Sequence, residues 1–342
     1  MKKIDTKDAV GHVLCHDMTR IVPGESKDAA FRKGHIVTEE DIPLLLSMGK
    51  EHLYVWENDE NMFHENEAAE ILCDMCIGPH MKRGEVKEGK IELTADKDGL
   101  FEIDVERLNK VNALGEMMIA ARGSSIPVKK GDKLAGTRII PLVIEKWKMK
   151  RAKETAGNGP LLSIKPFEHK RVGIIVTGSE VFHGRIKDQF GPALESKMGE
   201  YDTEILGKEI VGDDPDAIAG HIKDFLSQGA DMILCTGGMS VDPDDTTPSA
   251  IKATGAQIVT YGAPVLPGAM FLLAYTDSGI PIMGLPGCVM YSRRTIFDLV
   301  LPKIMAGETL AVEDLTTLGV GGLCLDCDVC IYPNCGFGKR GG

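Results

Sequence analysis

A repeated pattern organises residues 171–306: a short, wholly apolar run, a glycine turn, then a stretch with helical spacing. Val172-Gly173-Ile174-Ile175-Val176 leads into Thr177-Gly178-Ser179-Glu180. Met232-Ile233-Leu234-Cys235 leads into Thr236-Gly237-Gly238-Met239-Ser240, and Ile282-Met283-Gly284-Leu285 leads into Pro286-Gly287. Runs that are apolar on both faces predict buried strands of a parallel sheet. Asp188 opens a predicted helix with Phe190, Leu194 and Met198 on one face, and Thr203 to Val211 reads as a strand. Asp214-Pro215 opens the next helix, with Pro215 in its first turn, Ile218, Ile222, Phe225 and Leu226 as the core face and Gly229 as its end. Thr247-Pro248 starts another that ends at Gly255. Met270 to Ala274 reads as a strand, and Met290 to Met305 as a last helix broken late by Pro302. The pattern predicts a three-layer αβα domain over 171–307 on a mostly parallel sheet, with its ligand crevice at the carboxyl ends of the strands.

The rest of the chain is patterned differently. Residues 1–57 read as a small α/β module. Thr38 is the expected N-cap of a helix carrying Leu44, Leu45 and Met48 and stopped by Gly49, and His52 to Trp56 is a strand. Residues 58–147 hold a candidate helix from Asn66 to Ile77, then short alternating runs such as Lys90-Ile91-Glu92-Leu93-Thr94 and Gly99-Leu100-Phe101-Glu102-Ile103, which predict a β-rich module. Basic residues from 145 to 153 and the turn Gly157-Asn158-Gly159-Pro160 read as a linker over 148–170. Residues 308–342 form a cysteine-rich tail.

With 342 residues the chain exceeds one ordinary core, which agrees with this division. A formal net charge of −12 argues against nucleic acid as a partner. It leaves room for a small anionic ligand, because local backbone dipoles oppose the global field. No apolar run is long enough for a membrane span and nothing at Met1-Lys2-Lys3-Ile4-Asp5 reads as a signal peptide, so a cytoplasmic protein with no membrane partner is expected.

The chemistry is expected at the turns. Strands that end in bare glycines present unshielded N–H groups to an anion near a helix N-terminus, which nominates Thr177, Gly178, Ser179, Glu180, Thr236, Gly237, Gly238, Met239, Ser240, Pro286 and Gly287. A Gly237→Val change should block the ligand's approach to the backbone while leaving the fold intact. Carboxylates beside such a cradle suit a metal ion, a metal oxyanion or an activated water; Asp213 and Asp245 are the candidates. Both also have a plain structural use near helix starts: Asp214 as a cap leaves Asp213 free, and Asp245 can cap the helix at Thr247. Asp242 and Asp244 read as turn residues. Among nine cysteines, Cys73 and Cys76 form a lone C-x-x-C, whereas Cys324, Cys327, Cys330 and Cys335 crowd four thiols into twelve residues. Such a set suits one zinc ion or an iron–sulfur cluster, or is an incidental feature of a tail.

Taken in order, Thr177-Gly178-Ser179-Glu180, Gly184-x-Ile186-x-Asp188, Asp213-Asp214-Pro215, Thr236-Gly237-Gly238-Met239-Ser240-x4-Asp245, Pro267-Gly268 and Pro286-Gly287 resemble the molybdopterin-binding fold of the MogA, MoeA and gephyrin family. The resemblance covers about residues 171–306; residues 1–147 are distantly similar to the front part of MoeA-type proteins. It implies molybdopterin or adenylyl-molybdopterin on the glycine turns. In MoeA-like members it further implies carboxylates at the Asp213 and Asp245 positions that serve magnesium-dependent cleavage of adenylyl-molybdopterin and insertion of molybdate; in MogA-like members the same site attaches AMP to molybdopterin. A homo-oligomer and a molybdoenzyme recipient are implied as well. The sequence departs from the family in four places. Leu266 and Ala269 flank Pro267-Gly268 where basic residues are usual, Pro-Gly-Asn-Pro becomes Pro286-Gly287-Cys288-Val289, Phe190 stands for an Asn, and the cysteine tail replaces a β-domain. These departures set a molybdopterin molybdenumtransferase against a non-catalytic carrier, sensor or insertion chaperone.

Overall fold

The structure is a computed structural model that describes residues 2–22, 26–55, 60–240 and 245–339. Trp56, the boundary expected at 57/58, Asp242 and Asp244 lie outside the described residues. The chain divides into two compact units, one of residues 1–94, 104–122 and 133–162, the other of residues 95–103, 123–132 and 163–342.

In the first unit Lys2–Asp5 pairs antiparallel with His52–Val55. Helix Asp41–Ser47 starts three residues after Thr38, and the capping roles are reversed: the Asp41 carboxylate accepts from the Thr38 N–H at 2.8 Å. Helix Glu65–Cys76 buries Ala68, Ala69, Leu72, Cys73 and Cys76. Burial pushes the thiols of Cys73 and Cys76 up to about 11 and about 12, so both are neutral packing groups. The alternating run Lys90–Ala95 is a strand that buries Ile91, Leu93 and Ala95; it pairs antiparallel with Lys133–Ile139, as does Met117–Ala121. The segment expected to be a linker begins instead with helix Lys146–Ala156 of this unit; the strand Leu162–Pro166 that follows belongs from Ser163 on to the second unit. The basic residues of the helix mask an apolar stripe, since Met149, Ala152 and Ala156 at spacings of three and four are buried.

The second unit is built on a six-stranded sheet. Its strands are β1 (Lys170–Thr177), β2 (Thr203–Val211), β3 (Met232–Thr236), β4 (Gln257–Tyr261), β5 (Leu272–Tyr275) and β6 (Pro281–Leu285). Their order is β2-β1-β3-β6-β5-β4; the pairings β1–β2, β1–β3 and β3–β6 are parallel, and β5–β6 and β4–β5 antiparallel. Four principal helices cover it: α1 (Phe190–Met198), α2 (Pro215–Ser227), α3 (Thr247–Ala253) and α4 (Ile296–Met305).

Because successive side chains of a strand point to opposite faces, the apolar strands build a core on each side. Val172, Ile174, Val176, Leu234 and Met283 pack with Phe190, Leu194 and Met198 of α1 and with Phe297, Val300 and Ile304 of α4. Ile175, Ile233, Cys235 and Ile282 pack with Ile218, Ile222 and Phe225 of α2 and with Ala250 and Ile251 of α3. This is the expected αβα sandwich. Gly173 and Gly207, partners across β1 and β2, make room for Phe225: a Cβ on Gly173 would lie 2.6 Å from the ring, and one on Gly207 3.1 Å from it.

Helix ends follow the sequence closely. Asp214 caps α2, its carboxylate accepting from the Asp216 N–H at 3.0 Å. Asp188 accepts from Gly191 N–H at 2.9 Å and so anchors the start of α1. The helix expected from Met290 is later and shorter: a 3₁₀ turn covers Gly287–Met290, and α4 begins after Thr295, where the Asp298 carboxylate accepts from the Thr295 N–H in a capping box. Pro302 lies within α4 without ending it, and the helix runs to Met305.

Candidate functional site

The three glycine turns leave β1, β3 and β6 at their carboxyl ends. These strands are adjacent in the sheet, so the turns share one edge. That edge is the crevice position of an open parallel sheet.

The residues there divide into those that build the edge and those that face outward. Thr177 is 2% exposed; its hydroxyl lies 3.0 Å from the Thr247 hydroxyl and 3.3 Å from the Thr236 carbonyl, so it joins the ends of β1 and β3 to the start of α3. Thr247 donates to the Gly237 carbonyl at 2.9 Å. Thr236 and Met239 are buried, and the Met239 thioether fills the space beside Gly284, where a Cβ would meet it at 2.7 Å. Pro286 is also buried. Gly178, with φ +136°, opens the short helix Ser179–Phe182, and Ser179 is half-buried. Glu180, Ser240 and Gly287 are exposed and Gly237 and Gly238 half-buried, which leaves these five accessible to a ligand.

Gly237 has a local reason to lack a side chain. Its φ is +91°, and a Cβ there would stand 2.1 Å from the Thr177 carbonyl oxygen. The expectation that Gly237→Val leaves the fold intact is therefore corrected: the neighbouring strand end requires glycine, whatever binds nearby.

Both candidate carboxylates lie in this neighbourhood. One oxygen of Asp213 accepts from the Ser179 N–H at 2.9 Å, bracing the turn after β1 with the loop after β2. Thr246 donates to the Asp213 carbonyl at 3.0 Å, which brings Asp245, one residue before, to the same loops. Helix α3 takes Thr246 as N-cap, whose own side chain makes no capping bond. Sequence reasoning missed Tyr261 of β4. Its hydroxyl donates to the carbonyls of Met239 and Ser240 at 2.9 and 3.2 Å, holding the glycine turn from the far side, and burial together with the nearby Asp245 charge raises its pKa.

Residues 173–306 match the family described as "Probable molybdopterin binding domain". Over these residues the chain is similar to the molybdopterin-binding family. Residues 3–57 match a domain of unknown function. Among curated proteins, a CinA-like protein of Mycolicibacterium vanbaalenii is 39% identical over 27% of this chain and 22% of its own length. A molybdopterin molybdenumtransferase of Synechococcus elongatus is 28% identical over 50% of this chain and 42% of its own. The chain thus spans less than half the length of these relatives. Among solved structures, the molybdopterin biosynthesis enzyme MoaB of Thermus thermophilus aligns at 22% identity over 41% of this chain and 98% of that one, with a TM-score of 0.34.

Within the molybdopterin-binding domain, the departures acquire definite places. Phe190 is 8% exposed and belongs to the core under α1. The Leu266 N–H donates to Gly322 and its carbonyl accepts from Cys324, both at 2.8 Å, so the tail lies along the Pro267-Gly268 turn. Arg294 is paired with Glu200 at 3.0 Å and with buried Asp298 at 2.9 Å, while Arg293 donates to the Cys327 and Asp328 carbonyls at 2.9 and 2.7 Å. Among the described residues no three His, Cys, Asp or Glu side chains stand close enough to share one metal ion, and Cys324, Cys327, Cys330 and Cys335 are all free thiols. No helix among the described residues is long and apolar enough to cross a membrane.

Proposed function

We propose that the α/β unit binds molybdopterin or its adenylylated form along the edge formed by Gly178, Gly237, Gly238 and Gly287, and acts in molybdenum cofactor synthesis as a MoeA-like molybdenumtransferase in the cytoplasm. The observation that carries this reading is the convergence of three glycine turns on one sheet edge, with the Asp213 and Asp245 loops joined beside them. Half-buried Gly237 and Gly238 and exposed Gly287 let a phosphate approach the backbone. The buried Gly178 and the Ser179 amide, bonded to the Val211 carbonyl and the Asp213 carboxylate, hold the first turn in place, and the Thr177–Thr247 contact fixes the spacing of the strand ends.

A divalent magnesium ion fits the donor set. Two carboxylates on joined loops, completed by water and substrate phosphate, are the usual complement, and three protein ligands are not required. Asp245 and Asp213 would hold the ion, and it would neutralise charge gathering on the phosphate during cleavage. Tyr261 acts as a positioning residue by clamping the Met239 and Ser240 carbonyls.

The competing reading is a carrier or insertion chaperone. It is favoured by one observation: Leu266 and Ala269 flank the Pro267-Gly268 turn, where basic residues would seat molybdate, and Arg294 is paired with the Glu200 and Asp298 carboxylates while Arg293 is turned to the tail carbonyls. Incubating the full chain with adenylyl-molybdopterin, magnesium and molybdate separates the two. Release of AMP supports the transferase, retention of intact ligand without release supports the carrier, and no binding at all removes both.

A further inference from the structure

The four tail thiols, spread along an irregular segment, border a single cavity. A space of about 420 Å³ is lined by Cys324, Cys327, Cys330 and Cys335, with Arg293, Arg294 and Asp326 also in its wall. Its size is that of a small-molecule site, far larger than one ion occupies. A cluster spreads its four thiolates around a core of several atoms.

We propose that this cavity holds an iron–sulfur cluster ligated by Cys324, Cys327, Cys330 and Cys335. A C-x2-C-x2-C run is that of ferredoxin-type iron–sulfur loops, in which the next cysteine of the run serves a second cluster. Here Cys335, with a spacing of x4, borders the same cavity as the other three and takes the fourth place, whereas zinc sites more often pair two C-x-x-C turns across a longer stretch. The tail is anchored in the shape this requires. Tyr332 donates to the Asp298 carbonyl at 2.8 Å, Phe337 is 5% exposed in the core, and the Cys324 N–H donates to the Leu266 carbonyl at 2.8 Å. Cys324 and Cys335 are thereby fixed against the domain, while Cys327 and Cys330 lie on the exposed stretch between them, which Arg293 holds through the Cys327 and Asp328 carbonyls. Four thiolates around a cluster leave net negative charge. The Arg293 guanidinium in the same wall, whose bonds at 2.9 and 2.7 Å go to carbonyls and leave its charge in place, opposes it, while Asp326 adds to the negative side. This inference is independent of the pterin reading, since none of the four thiols belongs to the glycine edge.

The test is anaerobic reconstitution of the full chain with ferrous iron and sulfide, followed by iron and acid-labile sulfide analysis and visible absorption. The wild type should retain about four iron and four sulfide per chain with a brown chromophore lost in air. A Cys327→Ser/Cys330→Ser double variant should retain less than about a tenth of that. Both positions are exposed, so the variant should unfold at the wild-type denaturant concentration, and this is measured alongside. Equal iron in both proteins, or one zinc and no sulfide in the wild type after purification from metal-replete cells and reconstitution, overturns the proposal.

Discussion

The Ser179 amide donates to the Asp213 carboxylate across 2.9 Å, so a residue expected to do chemistry also shapes the turn it faces. Asp213→Ala leaves that half-buried amide without its acceptor and should cost about 1–2 kcal/mol in urea unfolding. Asp213→Asn keeps an acceptor oxygen and should restore most of it. Equal losses in the two variants would mean that charge, not the hydrogen bond, braces the turn.

Asp245→Asn removes the charge and keeps the shape. If the chain is a transferase, pterin binding by calorimetry should persist while AMP release falls by on the order of a hundredfold. Full turnover in this variant would move the catalytic assignment to Asp213.

Gly237→Ala should be destabilising on its own account. The methyl would meet the Thr177 carbonyl at 2.1 Å in a backbone with φ +91°, so the turn must shift at a cost of about 2 kcal/mol or more. Thermal unfolding of the ligand-free protein reads this directly; an unchanged midpoint would show that the turn yields freely.

Buried Lys197 donates to both oxygens of Asp298 at 2.8 and 2.9 Å, and the same carboxylate caps α4. Lys197→Met leaves that carboxylate with less compensation and should cost about 3 kcal/mol, reduced by the remaining Arg294 contact. Denaturant titration checks it, and a loss below about 0.5 kcal/mol would show that Arg294 suffices.

In the first unit, His64 caps helix Glu65–Cys76. Its Nδ1 accepts from the Asn66 N–H at 3.2 Å while its Nε2 bonds the Cys15 carbonyl at 2.8 Å, an arrangement only the neutral ring satisfies. Burial pushes its pKa below 6.5, partly opposed by the Cys15 bond. The unfolded chain therefore binds the proton first as pH falls, and stability, full above about 6.5, declines as pH drops through that value toward the lower folded one. Unfolding at pH 5.5 should show a loss of about 1 kcal/mol relative to pH 7.5. His64→Gln should flatten the dependence without abolishing it, because His16 is lowered by burial in the same direction. Identical slopes would clear His64.

Buried parallel strands, glycine turns and an Asp-Pro helix start were legible in the chain because each is local: a strand apolar on both faces, a φ only glycine adopts, a side chain bonding an amide two residues on. The ordered turns were enough to expect the sandwich and its edge. Other features depend on partners distant in sequence. Helix Lys146–Ala156 was hidden because three small or apolar residues carry its contact among many lysines. The role of Tyr261 depends on β4 lying beside the glycine turn, 22 residues away along the chain. Gly237 was legible as a bare position, but only the fold shows that the Thr177 backbone, as well as any ligand, demands it. Spacing put four thiols in the tail; tertiary structure arranged them around one cavity, because Tyr332, Phe337 and the Leu266 strand contact fix the two ends of a loop whose own sequence has no preferred shape.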